Sequence, residues 1–154
     1  MSMDSENLII DTCHIDDIDI VKHIHEQNYG KVWDKYFFEK MLKETQYEIY
    51  IIKSNNKVSG FIAFQGVGNA YELIMIIVDK YYRNNGLGSY LLSEAIRKLK
   101  LKGVSLITLD VSNDNIIAQK LYKKHGFVKF GERLGYYNIN NKKINSESYK
   151  LVNF

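Results

Sequence analysis

The sequence predicts an α/β protein of the α+β kind, with about seven strands and about four helices in a single domain covering residues 1–154. Two observations carry this. Short runs rich in β-branched and aromatic residues, bounded by asparagine and glycine, have the length and punctuation of strands. Between them, longer segments repeat apolar residues at helical spacing, and the elements read strand, two helices, three strands, helix, strand, helix, two strands.

In chain order, residues 7–12 form a first strand. Asp16-Asp17 marks a helix start before apolar Ile18, Ile20, Val21 and Ile24, with Gly30 placed to stop it. Asp34 caps a second helix carrying Phe37, Phe38, Met41 and Leu42. Residues 47–53 and 58–64 read as a hairpin turning at Asn55-Asn56, and Gly66 and Gly68 break the pattern before a strand at 71–78. Leu87, Leu91, Leu92, Ala95, Ile96 and Leu99 lie at helical spacing and Gly103 ends that helix. A strand at 106–111 follows, and Asn113-Asp114-Asn115 caps a helix that closes at Gly126. Residues 127–130 and 148–152 are the last strands, joined across a polar loop at 138–145.

Composition narrows the function classes. Cys13 is the only cysteine, which forbids an intrachain disulfide and fits a reducing compartment. The first residues, Met1-Ser2-Met3-Asp4-Ser5-Glu6, are unlike a secretory signal, and no apolar run approaches membrane-spanning length, so a cytoplasmic enzyme is expected. The net charge of +3 comes from Lys and Arg dispersed over several helices, as solvated helix faces would have them. That argues against nucleic acid as a partner while suiting an anionic ligand. His14, His23, His25 and Cys13 show no metal-ligand spacing, so no metal is expected.

The most informative stretch is the passage from the strand at 71–78, through Arg83-Asn84-Asn85-Gly86-Leu87-Gly88-Ser89, into a helix. A strand, a glycine-bearing turn and a helix N-terminus make an anion site, because first-turn N–H groups have no intrahelical partner and the helix dipole favours negative charge. Glycines let the backbone approach a phosphate closely. The turn lacks the Gly-Lys-Ser/Thr ending of a P-loop, and Leu91 stands where a Rossmann fingerprint needs its third glycine.

What remains resembles the pyrophosphate loop of the GNAT acetyltransferases, Arg/Gln-x-x-Gly-x-Gly/Ala. A second block, Asn115-x-x-Ala118-x-x-Leu121-Tyr122 followed by Gly126-Phe127, resembles that family's later signature and follows a strand, as it should. The resemblance runs from roughly residue 15 to the end of the chain. It implies a mixed central sheet flanked by the helices, whose two central strands (73–78 and 106–111) splay apart to admit acetyl-CoA as cosubstrate.

It also implies roles. Backbone groups of Ile76, Ile77 and Val78 would hold the pantetheine arm, and a fixed N–H there would stabilise a developing oxyanion. Arg83, Asn84, Asn85, Gly86, Leu87, Gly88 and Ser89 would cradle the pyrophosphate, chiefly by backbone N–H groups. Asn115 would contact the cofactor arm, a role compatible with capping a helix. Tyr122 would be the general acid, since a phenol with a reference pKa of ~10 is protonated at neutral pH and can donate to a thiolate.

Three weaker features resemble the RimI-like branch, which acetylates protein N-termini. They are Val32-Trp33-Asp34, Leu109-Asp110-Val111, and Gly135-Tyr136-Tyr137. They cast Trp33, Tyr136 and Tyr137 as lining the acceptor groove and Asp110 as the general base. Packing or a polar strand end would also account for these residues. Asp110 departs from the branch's glutamate by one methylene, so it would work through a bound water. That suits an easily freed amine: at pH 7 deprotonating an α-amine costs about 1 kcal/mol and a lysine about 4 to 5. Glu72 is a further carboxylate, equally well read as an exposed strand-start residue. The expected acceptor is a peptide or protein N-terminus, ribosomal proteins included, and the expected state a monomer or weak dimer. Two alternatives are an acetyltransferase for a small amine (polyamine, amino sugar or amino acid) and a non-catalytic acetyl-CoA-binding module.

Overall fold

The alternation of side chains in the central strands dictates a sheet buried on both faces. In residues 49–52, Tyr50 and Ile52 join one apolar cluster and Ile49 and Ile51 the other. A computed structural model describes residues 7–29 and 33–154 and shows this sheet. Its strands are β1 (Leu8–Thr12), β2 (Tyr47–Ser54), β3 (Lys57–Val67), β4 (Ala70–Val78), β5 (Leu106–Ser112), β6 (Val128–Ile139) and β7 (Lys142–Val152). The described helices are α1 (Ile18–Tyr29), α2 (Lys35–Lys43), α3 (Leu87–Leu101) and α4 (Ile116–Lys124). Gly30, Val32 and residues 1–6 lie outside the described residues.

The strand order is β1-β2-β3-β4-β5-β7-β6, antiparallel throughout except for β4 beside β5. On one face α3 buries Leu87, Leu91, Leu92, Ala95 and Leu99 against Tyr50, Ile52, Ile62 and Phe64, and Tyr122 of α4 joins the same cluster. On the other face α1 and α2 bury Val21, Ile24, Phe38 and Met41 against Ile49, Ile51, Phe61 and Ala63. At the start of α2 the Asp34 carboxylate accepts from the Phe37 N–H at 2.8 Å, a cap that contributes about 1 kcal/mol.

The feature that positions the site is where β4 and β5 cease to pair. Their ladder runs from Ala70 opposite Leu106 to Glu72 opposite Thr108 and stops, although β4 continues to Val78 and β5 to Ser112. The cause lies in β4. Ala63 faces Met75 and Phe64 faces Leu73, so Ile74 is an extra residue on that strand. Such a bulge bends its strand away from regular pairing. The expected splay is therefore present, and the mixed seven-stranded sheet is as anticipated.

Two expectations need correction. Residues 138–145 are not a loop: β6 and β7 form one long hairpin whose turn is Asn140-Asn141. Both asparagines are left-handed (φ 53° and 64°), the conformation a two-residue hairpin turn requires and asparagine tolerates. Gly66 does not break its strand either but lies within β3. A Cβ there would come within 2.3 Å of the Ala70 carbonyl oxygen, so glycine is required by close backbone approach.

Candidate active site

Two clefts open at the β4–β5 divergence. The larger, of about 660 Å³, lies on the α3/α4 side. It is lined by Ile76, Ile77 and Val78 of β4, by Arg83, Asn84, Gly86, Leu87, Gly88 and Ser89 of the turn into α3, and by Asn115 and Tyr122. The sequence motifs thus converge on one cleft. Asn85 belongs to the same turn but is not among the lining residues.

The local chemistry of this cleft fits an anionic ligand. Asn84 (φ 65°) and Gly86 (φ 77°) are both left-handed, which curls the chain at the head of α3. No side chain caps the helix at Gly86, so its first-turn N–H groups face the cleft's entrance uncompensated. At Gly88 a Cβ would meet only Val78 Cγ2, at an ordinary 3.7 Å. Packing within the protein therefore does not demand glycine there, and close approach by a ligand gives the residue a reason.

The side chains around the turn are held in place. The Arg83 guanidinium folds back, Nε donating to the Val78 carbonyl at 3.0 Å and Nη2 to Asn28 of α1. It braces the turn, consistent with backbone groups being the anion donors. Ser89 lies 2.8 Å from His125 Nε2 and accepts from Lys124 Nζ at 3.3 Å, tying the start of α3 to the end of α4. Burial, then the Lys124 charge, holds the His125 pKa below the usual imidazole value. Asn115 Oδ1 accepts from the Ala118 N–H at 3.2 Å, so the capping role is real and coexists with a place on the cleft wall. Tyr122 is 7% exposed and packs edge-on to Phe127, with ring centroids 5.8 Å apart.

The second cleft, of about 320 Å³, lies on the opposite face. Leu109 and Val111 are buried in the α3/α4 cluster, so Asp110 between them points the other way, and Glu72 does so beside Leu73. The two carboxylates share this cleft with Thr108, Ser148, Phe130, Glu132 and Arg133. The Ser148 hydroxyl donates to Asp110 Oδ1 at 2.6 Å. The Glu72 pKa is raised, by partial burial first and by the Asp110 charge second, against an opposing pull from Arg133.

Of the residues expected to line the acceptor groove, Trp33, Tyr136 and Tyr137, none borders the two clefts. Trp33 borders neither cleft and stacks on His25 at 5.1 Å, with Phe37 and Phe38 completing an aromatic cluster at the root of α2. Tyr136 and Tyr137 stand edge to face at 5.0 Å farther along β6, and the Arg133 guanidinium lies 5.1 Å from the Tyr136 ring centroid. Arg133 connects them to the Asp110 cleft. Sequence reasoning did not find Asn28, Phe130, Arg133 or Ser148, which reach the two clefts from elements remote in the chain and carry no motif. Among the described residues, no three His, Cys, Asp or Glu side chains gather as a metal site, and no helix is long and apolar enough to cross a membrane.

Residues 18–127, the span holding β4, the turn, α3, β5 and α4, match the model of the acetyltransferase (GNAT) family. The chain belongs to the GNAT family. It is an acetyltransferase of the RimI-like branch, and acetyl-CoA is the acetyl donor of such enzymes. A ribosomal protein bS18-alanine N-acetyltransferase of Escherichia coli strain K12 is 32% identical over 124 residues, 79% of this chain and 81% of that protein. The enzyme of the same name from Haemophilus influenzae is 36% identical over 99 residues, 62% of this chain and 67% of its own. The crystal structure of the Escherichia coli ribosomal-protein-S18-alanine N-acetyltransferase superposes with a TM-score of 0.87 at 26% identity, covering 95% of this chain and 94% of that one.

Proposed function

We propose that this GNAT enzyme acetylates the N-terminal α-amine of a protein, with a ribosomal protein as the acceptor class. The observation that carries the reading is its similarity, over about four-fifths of both chains, to a ribosomal protein bS18-alanine N-acetyltransferase (79% and 81%). The open, acid-lined cleft at Asp110 supports it, because an α-ammonium group must be received and deprotonated before it can attack.

Acetyl-CoA, when bound, supplies the acetyl thioester. The uncapped start of α3, with the backbone of Asn84 to Ser89, would hold its pyrophosphate, and the free edge of β4 at Ile76, Ile77 and Val78 would hold the arm and polarise the carbonyl. Asp110 would draw the proton from the acceptor's nitrogen through a bound water, entering from the opposite face. Tyr122 would return a proton from its hydroxyl to the departing sulfur. Donor and acceptor would thus meet in the gap where β4 and β5 part.

CoA release with a panel of acceptors tests this. The panel holds peptides with free N-termini, the same peptides N-blocked but bearing an internal lysine, and small amines. Turnover confined to free N-termini is expected. Turnover restricted to lysine or small amines would overturn the acceptor assignment.

A further inference from the structure

Resting on the reading of Asp110 as the proton acceptor, we propose that Ser148 is the positioning residue that holds the Asp110 carboxylate for its task. Ser148 stands directly across the β5–β7 ladder from Asp110, and its hydroxyl donates to Oδ1 at 2.6 Å. The side chain is 7% exposed, so its hydroxyl has little water to turn to and is committed to the carboxylate. Aspartate needs such a tether more than glutamate would. Its reach is a methylene shorter, and a base acting through one ordered water is sensitive to small changes in carboxylate placement.

The charges around Asp110 make the hydrogen bond more consequential. Glu72 of β4 repels the ionised form, and Glu132 lies on the same cleft, whereas Arg133 of β6 and Lys150 of β7 are the nearby cations. Lys150 is engaged over the Phe130 ring at 5.5 Å. A neutral donor fixed to one oxygen holds the carboxylate in place without cancelling its charge. Across the ladder on β6, Ser148 faces Gly131, which presents no side chain to it.

The test compares S148T with S148V, equal in shape and different in the hydroxyl, alongside S148A, D110N and S148A/D110N. Initial rates are measured over a pH series with a free-N-terminus peptide, and acetyl-CoA affinity by calorimetry. S148V and S148A are expected to lose about ten-fold in kcat/KM for the peptide, with acetyl-CoA affinity unchanged. S148T should stay near wild type, and S148A should add nothing on the D110N background. If D110N is impaired but S148V and S148T behave alike, or S148A costs as much on D110N as on wild type, the positioning role is overturned alone. If D110N turns over like wild type, the reading of Asp110 falls and the role falls with it.

Discussion

Tyr122 is the residue proposed to return a proton to the departing sulfur. It is buried against Phe127 and borders the large cleft, so its ring packs in the core at the cleft wall. Phenylalanine keeps the ring and removes only the hydroxyl. Y122F should lower kcat by about 10² or more, the range for loss of a positioned general acid, while calorimetry finds acetyl-CoA affinity within about two-fold of wild type. An unchanged kcat would remove Tyr122 from the mechanism. This residue was legible in the sequence because it lies inside a contiguous motif on one helix. Ser148 and Arg133 were not, since strand pairing alone brings them to Asp110 from β7 and β6.

Among the elements, two glycines differ in what their surroundings demand of them. Gly88 lies in the first turn of α3, and alanine there meets nothing closer than Val78 Cγ2 at 3.7 Å. Gly66 lies where β3 and β4 approach so closely that a Cβ would clash with backbone. G88A should therefore leave thermal stability unchanged or slightly higher, alanine being the better helix former, while weakening acetyl-CoA binding several-fold by calorimetry. G66A should lower stability by about 1–3 kcal/mol in denaturant melts. Equal loss of stability in both would contradict the idea that Gly88 serves a ligand. The helices, the Asn55-Asn56 hairpin and the α3 entry were readable because local capping and turn chemistry determine them. The β6–β7 hairpin was not. Toward the tip its strands are mostly exposed, and Asn138, Lys142, Lys143 and Asn145 interrupt the apolar pattern that reveals a strand, so Asn140-Asn141 looked like loop.

At the scale of the whole molecule, the sheet acts as a partition with one opening. The β4 bulge at Ile74 ends the β4–β5 ladder after Glu72, which leaves the motif-bearing cleft on the α3/α4 side and the carboxylate cleft on the other. The motif-bearing cleft was legible because its residues fall in two short blocks. Of the carboxylate cleft the sequence singled out only Asp110 and Glu72, because its wall is assembled from β4, β5, β6 and β7 and is local to none of them. In the proposed reaction, acetyl crosses this opening to an N-terminal α-amine. The most direct measurement incubates the enzyme and acetyl-CoA with one peptide carrying both a free N-terminus and an internal lysine, then locates the added acetyl group by fragment mass spectrometry. The account predicts acetyl on the N-terminal nitrogen alone; acetyl on the lysine with the N-terminus untouched would contradict it.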